Sequence, residues 1–379
     1  MQAQPTVVPV LPRYSESTLA DLASSLLASL GVPGEDNPLG LAPARRACLV
    51  IIDGLGWELL RDHPAAAPFL SELAVNSTPL TSGFPATTVT SLSSLGTARP
   101  PGQHGMLGYQ VAIPGGNALL NGLRWDADVD PLTWQPGTTI YERAAGVGIR
   151  TYRVAASSLE KTGLSVAAMR GPEYRPADSL GALVAQAADA LRASDRALVT
   201  VYHGHLDGTG HTFGCSSDAW RYQLGHVDKL AEQLAAAVPG RTALYVTADH
   251  GMVDVLPEDR VDVDMVPALR EGVALLGGEP RARHVYVKPG AEDDVLATWR
   301  EIIGGRAWVL PREEAVAAGW FGPVNPALAD RIGDVVAAPA GPYAIVATEA
   351  EPLESSLIGM HGSLTSADQL VPLLYLPSV

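Results

Sequence analysis

Residues 47–54 read Ala-Cys-Leu-Val-Ile-Ile-Asp-Gly, an apolar run that ends in a carboxylate and a glycine. A run of this kind is typical of a strand that is buried on both faces of a parallel sheet. The carboxylate, Asp53, would then lie at the carboxyl end of the strand, where α/β proteins bind their ligands.

The same pattern recurs twice further along the chain. Residues Arg196 to His203 lead towards Asp207, and residues Thr242 to Ala248 lead directly into Asp249 and His250. Helical patterns lie between the strands, at Thr138 to Ala145, Asp178 to Ala193 and Ser217 to Ala237. Strands that alternate with helices predict an α/β fold with a mostly parallel central sheet flanked by helices.

The chain is predicted to consist of a core and two additional parts. Residues 1–45 form an N-terminal helical lead-in, and residues 46–260 and 341–379 form the α/β core. Residues 261–340 differ in pattern from the core and are predicted to form a smaller α+β insertion or cap.

Local patterns support this division. A helix is predicted from Thr18 to Leu30, with Ser15 and Ser17 as candidate caps. In and after the insertion, two strands and one helix are predicted, at Arg281 to Pro289, Pro342 to Thr348 and Asp293 to Ile303.

The composition restricts the class of protein and of partner. With 47% hydrophobic and 18% charged residues, the chain of 379 residues is predicted to be globular. Its net charge of −15 repels nucleic-acid backbones, so no nucleic-acid polymer is expected as a partner. A small phosphate substrate would need its charge met locally, and metal ions are the obvious means. The sequence carries no signal for an oligomeric state.

The two termini and the cysteines bear on location and on redox chemistry. No apolar run reaches the roughly 18 to 20 residues of a membrane span, and no basic-then-apolar signal region begins the chain. A cytoplasmic protein is expected, although a chain trimmed of a leader would read the same. Two cysteines are too few for a disulfide framework. Cys48 is expected to be a buried thiol, whereas Cys215 lies near an Asp/His cluster and could be a soft zinc ligand.

Thr88 is the first candidate for chemistry beyond Asp53. It lies in the hydroxyl-rich segment Phe84 to Gly96, where a loop passes into a helical pattern. Backbone N–H groups and the positive end of the helix dipole favour an anion at such a position. A threonine hydroxyl is a poor nucleophile until a metal lowers its pKa.

Further Asp and His residues follow at spacings that suit metal ions. Asp207 and His211 are separated by four residues and would face the same way on a helical turn. Asp249 and His250 are adjacent at a strand end, and His361 is followed by a glycine. Each motif alone has an ordinary explanation as a helix cap, a turn or a surface hydrogen bond, whereas their joint arrangement indicates a metal site.

The ordered set resembles the alkaline phosphatase superfamily and, within it, the nucleotide pyrophosphatase/phosphodiesterase family. The matching motifs, in the family's order between Cys48 and Leu374, are Asp53-Gly54, Phe84-Pro-Ala-Thr-Thr88, His104-Gly105, Asp207-Gly-Thr-Gly-His211-Thr-Phe-Gly214, Asp249-His-Gly-Met252 and His361-Gly362.

The resemblance implies an alkaline phosphatase-like core with two zinc ions, for which manganese could substitute. One ion would be held by Asp207, His211 and His361, and the other by Asp53, Asp249 and His250, with Thr88 reaching towards the second. It further implies hydrolysis of a small phosphoester, such as a nucleotide, through a phospho-threonine intermediate on Thr88.

One position departs from the family's pattern. Diesterases of the family usually carry an Asn where this chain has Tyr109, so Tyr109 is the candidate substrate contact, with Asn121 or Asn117 as substitutes for the missing amide. Two further enzyme activities stay open with the same metals: phosphomonoester hydrolysis, and carbon–phosphorus hydrolysis of the phosphonoacetate type. A third reading is a metal-binding scaffold without catalytic activity.

Overall fold

A six-stranded sheet lies at the centre of the computed structural model, which describes residues 5–115, 117–125 and 128–376. The strands are, in chain order, β1 Arg46–Ile52, β2 Leu80–Thr81, β3 Gln110–Ala112, β4 Leu119–Asn121, β5 Arg150–Ala155, β6 Glu173–Pro176, β7 Ala197–His203, β8 Thr242–Thr247, β9 Val253–Asp254, β10 Arg260–Asp262, β11 Val273–Glu279, β12 Ala282–Val287, β13 Ala307–Pro311, β14 Val335–Pro339, β15 Ala344–Val346, β16 Gly359–Met360, β17 Leu370–Val371 and β18 Leu373–Leu376.

The helices connect and cover these strands. They are α1 Leu19–Ser29, α2 Trp57–Asp62, α3 Pro68–Ala74, α4 Thr88–Thr97, α5 Pro101–His104, α6 Pro131–Trp134, α7 Ile140–Ala145, α8 Gly163–Ala168, α9 Leu180–Arg192, α10 His205–Phe213, α11 Asp218–Ala237, α12 Glu292–Ile303, α13 Arg312–Ala317, α14 Pro352–Ser356 and α15 Ser366–Gln369. Short 3-10 helices lie at Ser157–Leu159, Pro257–Asp259, Pro267–Leu269 and Pro326–Arg331.

The central sheet has the order β18-β8-β1-β7-β5-β6. Strands β8, β1, β7, β5 and β6 are parallel, and β18 is an antiparallel edge strand. Strand β1 is buried from Ala47 to Ile52, as its unbroken apolar run predicts. Its register places Ile52 opposite His203 and Ile51 opposite Thr247, so three strands end at one edge. The predicted parallel sheet is confirmed.

Helices flank this sheet. Helix α9 packs on β5 and β7, and α11 packs on α9 and α3. Helix α1 lies within the predicted segment, but Thr18 rather than Ser15 or Ser17 caps it. The Thr18 hydroxyl accepts from the Asp21 N–H, while the Asp21 carboxylate accepts from the Thr18 N–H, a reciprocal capping box. In the part of the chain that the structure describes, no helix has the length and apolar character to cross a membrane.

A second, antiparallel sheet has the order β11-β12-β14-β13. Helix α12 packs on β13 and β14, and Trp299 and Val285 are fully buried in a separate apolar cluster. Strand β12 and helix α12 fall on the segments predicted for them, apart from one residue at the start of the helix. The sheet lies inside the predicted insertion, whose boundaries at residues 260 and 341 stay predictions.

Candidate active site

Three carboxylates meet at the carboxyl edge of the central sheet. Asp53 follows β1, Asp249 follows β8, and Asp207 lies in α10, which begins after β7. The close approach requires a glycine at Gly54, because a Cβ atom there would lie 3.1 Å from the Asp207 Cα, in a backbone with a φ of +74°. The Gly54 N–H donates to Asp249 Oδ1 over 3.1 Å and so joins the ends of β1 and β8.

The first group of candidate ligands consists of Asp207, His211 and His361, with one ligand atom of each within 4.8 Å of the others. Asp207 and His211 are one helical turn apart on α10, and His211 Nε2 lies 3.3 Å from Asp207 Oδ2. His361 Nε2 lies 3.9 Å from Asp207 Oδ1. The structure therefore brings together the three residues that the resemblance assigns to one metal ion.

The second group surrounds His250. Its Nε2 atom lies 3.3 Å from Asp53 Oδ1 and 3.6 Å from Asp249 Oδ2. Thr88 Oγ1 lies 3.2 Å from the same nitrogen. Ligand atoms of Asp53, Asp207 and His250 all lie within 4.8 Å of one another, so Asp207 lies close to both groups. The two groups adjoin, since the imidazole rings of His250 and His361 stack at 3.6 Å.

Backbone carbonyls set the tautomer of all three imidazoles. Each Nδ1 atom faces a carbonyl oxygen, in the pairs His211–Gly359 at 2.7 Å, His250–Gly251 at 2.9 Å and His361–Ala86 at 2.9 Å. Because a carbonyl oxygen can only accept, each Nδ1 carries the proton. In its neutral form each ring therefore presents the lone pair of Nε2 to the shared centre, as a metal ligand must.

The carboxylates retain oxygens that the protein does not satisfy. Asp53 Oδ1, Asp207 Oδ1 and Asp249 Oδ2 are buried without a hydrogen-bond partner among the described residues. Buried carboxylates of this kind are costly unless cations neutralise them. Oxygen and imidazole ligands at one centre suit a divalent ion such as zinc or manganese, so the residues present fit a metal centre.

Burial and mutual charge perturb the pKa values at this edge. Burial, helped by the charge of Asp207, raises the pKa of Asp53 to about 7, and burial raises that of Asp249 well above its ordinary value. Burial would lower the pKa of His211, but the adjacent Asp207 outweighs it and raises the pKa to about 9. Perturbations of this size typically mark functional sites.

Thr88 begins helix α4, as the hydroxyl-rich pattern indicated. Its side chain is 8% exposed. The preceding residue, Thr87, does not cap the helix with its side chain, and instead donates its hydroxyl to Glu279 Oε2 over 3.1 Å. The N–H groups of the first turn therefore stay available to an anion beside Thr88.

Glu279 is a site residue that the sequence reasoning missed. It ends β11 of the second sheet, and its Oε2 lies 3.7 Å from His361 Nδ1. Burial raises the pKa of Glu279 to about 8, and its Oε1 has no partner among the described residues. The available signal was an acidic residue at the end of an apolar strand, the pattern that identified Asp53.

Tyr202 was missed as well. It lies near the end of β7, and its hydroxyl donates to Asp53 Oδ2. Burial raises the pKa of this phenol well above its ordinary value, so the phenol stays protonated and able to donate. This hydrogen bond directs the other oxygen of Asp53 towards His250.

A cavity of about 270 Å³ opens onto the metal-ligand residues. Its wall includes Thr88, Asp207, His211 and His361, together with Tyr109. The Tyr109 hydroxyl donates to Glu354 Oε1 over 2.9 Å, and burial raises the pKa of Tyr109 to about 12. The structure thus places Tyr109 at the cavity, as its position in the motif suggested.

The other candidates lie apart from the cavity wall. Asn121 is buried, and its Oδ1 accepts from the Leu123 and Arg124 N–H groups over 3.0 Å each. Asn117 is exposed beside the β3–β4 hairpin. Cys215 is buried, and burial raises the pKa of its thiol. Its backbone N–H donates to Asp254, and it belongs to neither group of candidate ligands.

Comparisons with known proteins bear on the family and the fold. Residues 47–364 match the model of a family described as type I phosphodiesterase / nucleotide pyrophosphatase.

Solved structures share the fold. Murine ectonucleotide pyrophosphatase/phosphodiesterase 5, an inactive variant in complex with AMP, has a TM-score of 0.68 and 20% identity over 87% of each chain. The human protein of that name has a TM-score of 0.69 and 20% identity, also over 87% of each chain. Phosphonoacetate hydrolase from Sinorhizobium meliloti 1021, in complex with phosphonoacetate, has a TM-score of 0.64 and 20% identity over 89% of this chain and 92% of that chain. These similarities confirm the predicted fold of the alkaline phosphatase type.

Proposed function

Because the chain belongs to the type I phosphodiesterase/nucleotide pyrophosphatase family, we propose that it hydrolyses small phosphodiesters or nucleotide pyrophosphates with two zinc ions and Thr88. The family and the similar structures support a phosphoester hydrolase. The observation that carries the finer proposal is the position of Thr88 Oγ1, 3.2 Å from His250 Nε2 at the start of α4. A hydroxyl, an anion-binding helix start and two groups of metal ligands then share one centre.

The ligand sets follow the two groups. Asp207, His211 and His361 hold one ion, and Asp53, Asp249 and His250 hold the other, with Thr88 beside the second. Three protein ligands on each ion leave a position for substrate or water, as catalytic zinc requires. Manganese suits the same oxygen and nitrogen donors, so the identity of the ion is part of the proposal.

The chemistry is a double displacement at phosphorus. Two bound zinc ions supply charge that offsets the phosphate and lowers the pKa of the Thr88 hydroxyl and of a water molecule. Thr88 Oγ1 loses its proton and attacks phosphorus, and the bond to the leaving oxygen breaks as the leaving alcohol gains a proton. Water then attacks the phospho-threonine, which releases a phosphate monoester and restores the Thr88 hydroxyl.

Protein groups position the phosphate for this attack. The free N–H groups at the start of α4 face an anion beside Thr88. Tyr109 lies on the same cavity, and because its single O–H is donated to Glu354, its hydroxyl oxygen is left to accept a hydrogen bond from a ligand. A phenol in place of the amide that the family's diesterases usually carry is expected to change substrate preference more than the rate of the chemical step.

The test combines metal analysis with a panel of substrates. The purified protein is analysed for zinc and manganese and is then assayed on bis(p-nitrophenyl) phosphate, p-nitrophenyl phosphate and phosphonoacetate. The proposal expects bound zinc and the highest kcat/KM on the diester. A higher kcat/KM on the monoester or on phosphonoacetate would instead assign the corresponding alternative activity to this site. Stoichiometric zinc without turnover of any ester would indicate a metal-binding scaffold.

A further inference from the structure

The cavity beside the metal ligands has an apolar side that the proposed chemistry does not use. Leu123, Pro280, Leu353, Leu357 and Met360 line it. Leu123 and Leu353 are 44% and 60% exposed. Apolar walls beside a few polar groups are typical of sites for the organic part of a ligand, so this side faces the group esterified to the phosphate.

Three acidic side chains lie on the cavity wall. Among the described residues that line the cavity, Asp207, Glu279 and Glu354 are acidic and none is Lys or Arg. Asp207 belongs to the proposed metal ligands, and Glu279 lies beside Thr87 and His361. Glu354 is different because it follows Leu353 in the chain and its carboxylate contacts Tyr109 and Arg124.

Glu354 is held at this place by two neighbours. The Tyr109 hydroxyl donates to its Oε1 over 2.9 Å, and Arg124 Nη2 lies 3.3 Å from the same oxygen. The Arg124 side chain is 54% exposed, whereas that of Glu354 is 12% exposed. Since exposed ion pairs are largely screened by water, Arg124 offsets only part of the negative charge that Glu354 presents to the cavity.

Hydrogen bonds from Arg260 hold the segment that carries Glu354. The Arg260 guanidinium donates to the carbonyl oxygens of Ser355 at 2.6 Å, Val255 at 2.8 Å and Leu357 at 2.7 Å. The bonds to Ser355 and Leu357 hold the C-terminal end of the short helix α14, and the bond to Val255 joins that end to the segment after β9. A preorganised carboxylate discriminates between ligands more strongly than a mobile one, because it cannot move away from an unfavourable charge.

We propose that this cavity selects phosphoesters whose organic group is uncharged and apolar, and that Glu354 rejects groups that carry a second negative charge. The inference rests on the proposed function and names the substrate class of the same site. A buried anionic group needs Arg or Lys as a partner, and here it would face a carboxylate. Acids such as phosphonoacetate are therefore poor substrates, whereas diesters with a neutral aromatic or alkyl group fit.

The test uses three p-nitrophenyl diesters that share the leaving group and differ in the second ester group. That group is phenyl, 4-carboxyphenyl or 4-(trimethylammonio)phenyl, so that ring and linkage stay constant while the charge changes. The zinc-loaded protein is expected to have a kcat/KM for the phenyl diester about tenfold or more above that for the carboxyphenyl diester. The ammonium diester is expected to lie close to the phenyl diester.

Two variants test the role of Glu354 in opposite directions. Glu354→Gln keeps the hydrogen-bond acceptor for Tyr109 and is expected to reduce the discrimination against the carboxyphenyl diester several-fold. Arg124→Gln removes the positive charge that partly offsets Glu354, and it is expected to increase the discrimination against the carboxyphenyl diester. Glu349→Gln is the matched control, because Glu349 is exposed and lies outside the lining of the cavity, and it should leave the ratio unchanged.

A binding measurement separates this inference from the proposed chemistry. Zinc-loaded Thr88→Ala is titrated calorimetrically with phenylphosphonate and with 4-carboxyphenylphosphonate, which need no turnover. Tighter binding of phenylphosphonate supports the inference even if no diester is hydrolysed, in which case the proposed function alone fails. Equal or tighter binding of the carboxylate, or an unchanged ratio in Glu354→Gln, overturns the inference even if diesters are hydrolysed.

Discussion

At the residue scale, Thr88 combines a hydroxyl with the start of a buried helix. Removing the hydroxyl in Thr88→Ala leaves the six proposed metal ligands in place. The variant is therefore expected to bind zinc normally and to lose at least about a thousandfold in kcat on bis(p-nitrophenyl) phosphate. Metal analysis and steady-state kinetics measure the two effects.

A second threonine on the same helix provides the control for Thr88. Thr97 lies at the other end of α4, where its hydroxyl donates to the Ser93 carbonyl over 2.7 Å. Thr97→Ala should keep the activity of the unaltered protein within a few-fold. Activity of Thr88→Ala at the level of Thr97→Ala would refute the nucleophile assignment.

For Glu279, the prediction concerns zinc affinity, because this residue lies beside the proposed ligand His361 without being a ligand itself. Glu279→Gln removes a side chain that can ionise near His361 and weakens the acceptor for Thr87. A loss of about tenfold in zinc affinity is expected, as is typical when a group that orients a metal ligand is changed. Competition with a chromophoric zinc chelator measures this affinity.

Another buried glutamate serves as the control for this effect. Glu351 is 9% exposed and pairs with Arg283 at 2.7 Å. Glu351→Gln is expected to lower the stability of the fold while zinc affinity stays unchanged. If both variants bind zinc as the unaltered protein does, Glu279 has no part in the metal centre.

At the element scale, the helix that begins with Thr88 is held by a tight contact at its other end. A Cβ atom at Gly96 of α4 would lie 1.9 Å from the Ala168 carbonyl oxygen and 2.8 Å from the Met169 sulfur. Gly96→Ala must therefore push α4 away from α8. We expect a loss of about 1–3 kcal/mol in the free energy of unfolding and a fall in kcat, because Thr88 moves with its helix.

The matched control is Gly181→Ala on helix α9, where the added Cβ atom has space around it. At Gly181 of α9, no heavy atom among the described residues lies within 4 Å of the added Cβ. Gly181→Ala is expected to be neutral or to stabilise by up to about 1 kcal/mol. Urea unfolding of the two variants measures the contrast, and an equal effect at both positions would contradict the packing argument.

Strands with an unbroken apolar run were the elements that the sequence predicted best. Strands β1, β7 and β8 are buried on both faces, so their composition alone distinguishes them, and the residues that follow them were found for the same reason. Glu279 was not found, because its place at the site depends on tertiary contacts with Thr87 and His361 that the pattern of β11 does not show. The cap of α1 was misplaced by one residue, since Ser17 and Thr18 are both good caps and only Thr18 has Asp21 at the third helical position.

At the scale of the whole molecule, the second sheet contributes residues to the cavity, which the predicted division into core and insertion does not indicate. Glu279, which ends β11, and Pro280, which follows it, line the cavity beside residues of the core. Sequence patterns define each part from its own elements and carry no information on how the parts meet. The composition of the cavity wall therefore required the structure.

Two histidines that belong to neither group of candidate ligands make stability depend on pH. His104 and His284 are buried, and each accepts a backbone N–H at Nδ1, from Met106 and from Gly333, over 3.1 Å. Burial lowers the pKa of His104 to about 3 and that of His284 to about 4. Protonation would place a proton against these N–H donors, so both rings stay neutral in the folded state.

In the unfolded chain, histidine gains a proton near pH 6.5 as the pH falls. The unfolded state then binds more protons, and stability falls as the pH drops from about 6.5 towards 4. At about pH 5 each histidine should cost about 2 kcal/mol. Urea unfolding at several pH values is expected to show a shallower loss in His284→Gln. An identical pH profile in His284→Gln would contradict this assignment.

The imidazoles at the metal centre are oriented by main-chain oxygens, from Ala86, Gly251 and Gly359. Every amino acid supplies such an oxygen, so no exchange of a side chain can delete the acceptor. Loss of orientation must come from a shift of the loop itself, as at Gly251, where a Cβ atom would lie 1.9 Å from the Ala367 carbonyl oxygen. Random mutagenesis that selects for impaired zinc binding should therefore recover ligand residues and loop glycines. No side-chain substitution removes the carbonyl acceptors themselves.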